Sequence, residues 1–418
     1  MEMDKYIRYL YLLFLLSLAC LARGQELRFS ARTYLWAHTQ QVYGDLQHML
    51  PLYEFVDFSA IDVGIKGLNV FASGWGMLNI LDKGIEHRGW GDLENMFVEY
   101  EHPKGRFSLQ AGRLGLFDPG TFGDVVDGGR IHGELPLGFT VTGFGGFFTE
   151  EGFDDTKDTW LAGGRFGHHY VWSWGMTDLG VSYVRRTSEG NVDRDLLGVD
   201  ISYMAPRYVD ITGTFFYDLV SERPIEFSGI LDVRPSWKID LLLEYHYLIP
   251  SMFLPKTSIF TVFADDAQHR GGIGLDWKIG RFSPQFGFQW IAFKGMDDGY
   301  WGWVAIRGNL EEFGLIGFRL TRYKDYENGY IGGRWWVKYT PAFVANKALV
   351  ITGDIQFQWF DQKLYTARYS VFSDIGVGYK WPYGLEISVL GLIRSDPVAD
   401  YEAAGLLRLG YAFEGGKK

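Results

Sequence analysis

The densest sets of acid–base or metal-ligating side chains in the chain are the carboxylate pairs Asp154-Asp155, Asp265-Asp266 and Asp297-Asp298 and the histidine pair His168-His169. Paired carboxylates on loops offer the hard oxygen ligands that calcium takes, or a seat for the divalent ions of lipopolysaccharide. Plain solubilising charge is the commoner reason for such pairs on loops. Neighbours on an extended strand point to opposite faces, so His168 and His169 can share one metal ion only across a turn. No serine, histidine and acid fall at a spacing that argues for a nucleophile. The only cysteine, Cys20, lies near the N-terminus, and no C-x-x-C-H motif occurs. Disulfides, thiolate metal sites, covalent haem and any resident cofactor are therefore not expected, and neither is an enzyme.

A different chemistry, filtering by charge, is suggested between Arg113 and Arg130. The segment Gly115 to Arg130 combines turn-forming residues with Asp118, Asp124 and Asp127. Folded into a pore, opposed charges of this kind set up a transverse field that sorts small polar solutes. Left outside, the same segment is a solvated loop holding ordinary ion pairs. Both readings stay open. Polar residues at alternate strand positions, Arg28, Arg32, Arg106, Gln110, Glu244, Gln289, Arg334, Lys338, Asp354 and Gln356, are mixed in sign and fit a water-filled lumen.

These side chains need a wall to hold them, and the chain spells one out with period two. Ile239, Leu241, Leu243, Tyr245 and Tyr247 share one strand face, while Asp240, Glu244 and His246 share the other, with Leu242 an exception. Leu349, Ile351, Ile355, Phe357 and Trp359 likewise oppose Thr352, Asp354, Gln356 and Gln358. Leu385, Ile387, Val389 and Ile393 oppose Glu386, Ser388 and Arg394, although Leu390 and Leu392 break the rule. Apolar-out, polar-in alternation continued over a whole chain is the pattern of a transmembrane antiparallel up-and-down β-barrel. A soluble sandwich alternates too, but it needs only about seven to nine strands.

Links between strands should then be long at one end of the barrel and short at the other. Long links are expected at Thr39 to Leu52, Leu81 to Gly91, Gly115 to Gly128, Thr149 to Asp158 and Ile249 to His269. Tight turns fall at Gly67-Leu68, Pro103-Lys104, Pro136-Leu137, Pro206-Arg207, Pro235-Ser236 and Gly280-Arg281. The count is about 22 strands, within roughly 18 to 22, and an even number puts both termini in the periplasm.

Composition agrees with an all-β chain: 17% aromatic residues and 54 glycines in 418 suit many short strands and turns. Lys5 and Arg8 precede an apolar run from Tyr9 to Leu21 and small residues near Gly24, so residues 1–24 read as a signal peptide and 25–418 as a single barrel domain. Removing the leader takes Glu2 and Asp4 but also Lys5, Arg8 and Arg23, which changes the net charge from −11 to −12 and disfavours nucleic acid. The expected setting is the Gram-negative outer membrane, with lipid and lipopolysaccharide around the wall. The last strand, Tyr401 to Phe413, resembles the C-terminal signal that barrel-assembly machinery receives, although the tail Glu414 to Lys418 departs from the usual aromatic end.

Leu52-Tyr53-Glu54-Phe55, Gly74-Trp75-Gly76, and Gly112-Arg113 followed by Asp127-Gly128 resemble recurring elements of the porin component of porin-cytochrome conduits. The resemblance covers about the first third of the mature chain. It implies a haem-free sheath around a periplasmic multihaem cytochrome. Two conduits are thus in view, a porin-like pore for small polar solutes or ions and a sheath for an inserted partner, with an outer-rim enzyme or adhesin as the remaining alternative.

Overall fold

Alternating, β-branched and aromatic segments separated by turn residues become strands whose backbone groups are all satisfied by neighbours, which is the condition for crossing lipid. The computed structural model describes residues 26–42, 45–81, 89–149, 158–205, 207–253, 266–294, 297–310, 313–325, 327–341, 348–365, 367–397 and 401–415. The expected leader with Cys20, the Asp154-Asp155 pair and Asp265 lie outside these residues.

The first strands are β1 (Glu26–Val42), β2 (Asp45–Met49), β3 (Pro51–Ile61), β4 (Leu68–Asn79), β5 (Gly89–Glu101), β6 (Phe107–Gly115), β7 (Val125–Glu134) and β8 (Phe139–Phe148). Then come β9 (Thr159–Trp172), β10 (Gly175–Ser188), β11 (Asn191–Ala205), β12 (Val209–Asp218), β13 (Arg223–Ser236), β14 (Ile239–Leu248), β15 (Gln268–Trp277) and β16 (Phe282–Phe293). The remainder are β17 (Gly299–Asn309), β18 (Gly314–Lys324), β19 (Gly329–Tyr339), β20 (Leu349–Leu364), β21 (Ala367–Lys380), β22 (Leu385–Ser395) and β23 (Glu402–Gly415).

From β3 onward each strand pairs antiparallel with the next, and β1 pairs with both β3 and β23, which closes the sheet. Among the described residues β2 pairs only with β1, from His38↔Met49 to Val42↔Asp45, so 22 strands make the wall. The segment Thr39 to Leu52, read above as a link, is thus largely a hairpin that prolongs β1 past its wall partner β3. Three hairpin links escaped the sequence reading, at Ser173-Trp174, Glu189-Gly190 and 219–222. None contains a proline. At the second, Glu189 and Gly190 both take positive φ, 51° and 78°, as a two-residue hairpin turn demands.

Cross-strand registers divide the side chains into two faces. One face carries Ile375 and Val377 of β21, Val389 and Ile393 of β22, and Leu409 and Tyr411 of β23, apolar residues between 39% and 69% exposed. The other carries the charged residues Asp374, Glu386, Arg394 and Arg408, with Leu390, Leu392 and Leu406 among them. A closed sheet in lipid puts the apolar face outward, so the second face lines the bore. With strands about 4.8 Å apart and tilted near 40°, 22 of them enclose a backbone diameter of roughly 45 Å.

Ile375, the most exposed member of this set, tests the belt. Ile375→Arg is expected to destabilise the barrel by about 2–4 kcal/mol if it sits near the bilayer midplane. Asp374→Asn, one residue away on the inner face, should cost far less. Urea unfolding of the reconstituted protein reads both, and equal losses would reverse the assignment of faces.

Candidate functional site

The link from β6 to β7 lies against the inner wall. Leu116 is fully buried in a cluster with Leu114, Val126, Phe144, Leu161 and Val184, all on inward faces of β6 to β10. Local hydrogen bonds give the loop its shape: Leu116 N–H to Asp124 O at 2.8 Å, and Thr121 N–H to Asp118 O and Asp124 N–H to Thr121 O, both at 3.0 Å. The buried Thr121 hydroxyl donates to the carbonyls of Leu116 and Asp118. Gly120 has φ 86°, and a Cβ there would press on Val184 and Phe216. Only glycine suits both demands.

Side chains fasten the loop at both ends. The Arg130 guanidinium donates to both Asp118 oxygens at 2.8 and 2.9 Å. Arg194 of β11 donates to Asp124 at 2.6 Å, with Arg186 of β10 3.8 Å away. Arg186 in turn donates from Nε to Asp193 at 2.6 Å. Phe122 takes an uncommon φ of 55° for a non-glycine residue, and its ring is held edge-on to Phe216 at 5.6 Å beneath the Arg194 guanidinium at 5.0 Å. Burial pushes the Asp124 carboxyl above the usual carboxylate range, against the pull of Arg194 and Arg186.

Of the five residues expected at a constriction, Asp118, Asp124 and Arg130 belong to this inward-docked loop and the wall it rests on. Arg113 and Asp127 are placed elsewhere. They form a bidentate pair at 2.9 and 3.0 Å, but Asp127 shares its face of β7 with the exposed Ile131, on the outside of the wall.

Of the ten residues expected to line the lumen, all but Arg106 stand on the inner face by register. Arg28 pairs with Glu26 and Glu414, Arg32 with Asp57, and Gln110 donates to Glu99 at 2.8 Å. Gln289 donates to Glu244, and Arg334 donates to Asp354 with Nε–Oδ2 at 2.8 Å. Lys338 stands opposite Thr352, and Gln356 opposite Arg334. Arg106 sits in the turn before β6.

Several inward groups were not singled out from the sequence: Arg165 bridging Asp178 and Asp200, and the Arg186, Arg194, Asp193 set. Their signal, even spacing along β9 to β11 with Asp193 the extra residue where β10 and β11 shift register, stays hidden until the hairpins at Ser173-Trp174 and Glu189-Gly190 are known. His168 and His169 do face opposite sides. His168 Nε2 lies 3.0 Å from Leu137 O, and His169 lies 3.6 Å from Asp178. Asp298 accepts from Trp290 Nε1 at 2.9 Å. Among the described residues no three histidine, cysteine, aspartate or glutamate side chains are grouped to hold a metal ion.

No protein-family model and no curated protein matches the chain. Solved structures do resemble it. The siderophore receptor PirA from Pseudomonas aeruginosa superposes with a TM-score of 0.56 at 8% identity, over 92% of this chain and 80% of that one. OccK8 (OprE) of the same organism gives 0.46 at 11% identity, over 94% and 98%. The outer membrane protein OpdK gives 0.44 at 8%, over 93% and 99%. The closed sheet with its apolar exterior is the fold of an integral outer-membrane β-barrel.

Proposed function

We propose that the chain is a passive, non-enzymatic conduit through the outer membrane, a porin-like channel for small polar solutes or ions. One observation carries this reading: the bore is lined by polar groups of both signs, and the loop of residues 116–124 is fastened to one side of it by Asp118–Arg130 and Asp124–Arg194. Water and solutes pass such a wall without meeting a continuous apolar barrier, and selectivity follows the charges nearest the narrowest section. In this proposal the short-link end and both termini are periplasmic, the leader exports the chain, and assembly machinery inserts it.

Conductance across a planar bilayer tests the proposal. Purified protein alone should give large, stable, weakly ion-selective steps. Verified insertion without steps overturns it.

The breadth of the bore supports a second reading, a sheath for a periplasmic multihaem cytochrome. At roughly 45 Å the barrel has room for a partner, and among the described residues the loop rests on one side of the wall, strands β6 to β13. Haem absorbance that co-purifies with the barrel, and restored bilayer steps once it is stripped, would favour the sheath.

A further inference from the structure

Leu390 and Leu392 interrupt the alternation of β22 because they face the bore. Leu390 stands opposite Leu406, and Leu392 opposite Ala404, while β23 in turn sets Leu406 against Trp36 of β1. The closing seam therefore carries an apolar patch on the inner wall, apart from the cluster under the docked loop. A chain of rings leads away from it along the inner wall. Tyr34 and Phe55 meet edge-on at 5.6 Å, Phe55 and Trp75 stack at 6.4 Å, and Trp75 and Trp90 meet edge-on at 5.3 Å. Leu390, Leu392 and Leu406 with Tyr34, Trp36 and Phe55 line a recess of about 620 Å³, within the size range of small-molecule sites.

Charge decides what the recess can hold. Arg32 lies over the Phe55 ring and pairs with Asp57 at 3.2 Å. Arg408 lies over the Tyr34 ring and pairs with Glu386 at 3.4 Å. Both cations thus have carboxylates of their own. Glu94 lines the recess from the irregularity where β4 and β5 shift register, is exposed, and has no hydrogen-bond or ion-pair partner among the described residues. Bulges of this kind re-aim a side chain. An anionic guest would face an uncompensated carboxylate, and a sugar would leave its hydroxyls against leucines. A weakly hydrated cation on an apolar body meets ring faces, leucines and a free carboxylate at once.

We infer that the seam recess binds organic cations of the quaternary-ammonium class bearing an apolar group. The site is separate from the docked loop and does not depend on whether the barrel conducts.

Calorimetric titration of the full-length barrel in non-ionic detergent tests it at equilibrium, so its outcome is distinct from the bilayer result. Benzyltrimethylammonium should bind one per barrel, and benzoate at least about tenfold more weakly. Glu94→Gln should weaken the cation about five- to tenfold and leave neutral benzyl alcohol unchanged, while Trp36→Ala should weaken both. Heat-modifiable migration on gels confirms that each variant is folded. Benzoate binding as tightly as the cation, insensitivity to Glu94→Gln, or absence of binding by the wild-type barrel overturns the inference.

Discussion

Asp124→Ala should free the inner loop while leaving the barrel standing. Arg194 is buried and donates a hydrogen bond to the Asp124 carboxylate. Removing one partner of a buried pair costs about 3–5 kcal/mol, because the other charge is left without compensation. The loop has little else to spend against that loss: one buried leucine, the Phe122 ring and the Asp118–Arg130 pair. Undocking also dismantles the 2.8 Å bond from Leu116 N–H to Asp124 O. Hydrogen exchange at the amides of Leu116, Thr121 and Asp124 should then accelerate by at least about a hundredfold, each 1.4 kcal/mol being worth tenfold. Amides of β20 and β21, on the far side of the wall, serve as the internal control and should not move. If conduction holds as proposed, a freed loop sweeping the bore should add noise and brief closures to the open-channel current. Unchanged exchange in the loop would mean that the charge pair does not hold it, and equal acceleration everywhere would mean that the whole barrel had been weakened.

The sequence made the wall legible and the site much less so, for a physical reason. Lipid acts on every outward residue of every strand, so β14, β20 and β22 each display the rule within ten residues or so. Nothing imposes such uniformity on the inner face. Leu242, Leu390 and Leu392 looked like breaks in a pattern, yet Leu390 and Leu392 meet Leu406, Trp36 and Tyr34 only after the two ends of the chain have come together. No local window contains that information. Arg113 and Asp127 tell the opposite story. Asp127 lies three residues before Arg130, and on a strand an odd separation puts two side chains on opposite faces. The placement of Asp127 outside was therefore available in the sequence, once β7 is taken to begin at Val125 rather than beyond Gly128. The missed hairpins between β9 and β13 had a local cause as well. Their turns use Ser-Trp and Glu-Gly, which punctuate a chain less audibly than proline does.

Gly128→Val should be the most damaging change among the inward glycines of this region. Gly112, Gly128 and Gly146 stand side by side on three neighbouring strands, in one bare rung that ends at Leu161. A Cβ on Gly128 would lie 2.5 Å from the Gly146 Cα, and one on Gly146 would lie 2.7 Å from the Gly128 Cα. The strands therefore cannot accept side chains there without moving apart. Overpacking alone costs about 1–3 kcal/mol. Here the displaced strands also carry Val126 and Phe144, which wall the pocket of Leu116, so the loop should loosen together with the sheet. Gly405→Val supplies the control, since a Cβ at Gly405 would meet nothing within 4 Å. Thermal melting in detergent should fall clearly for Gly128→Val and barely for Gly405→Val, with loop amide exchange accelerated only in the first. A second result would separate packing from backbone strain: Gly128→Ala should fall between wild type and valine, because the clash begins at Cβ and valine adds to it. Were both valine variants to melt alike, close approach of the strands would not be what the glycines provide, and the loop would need some other reason to lie where it does.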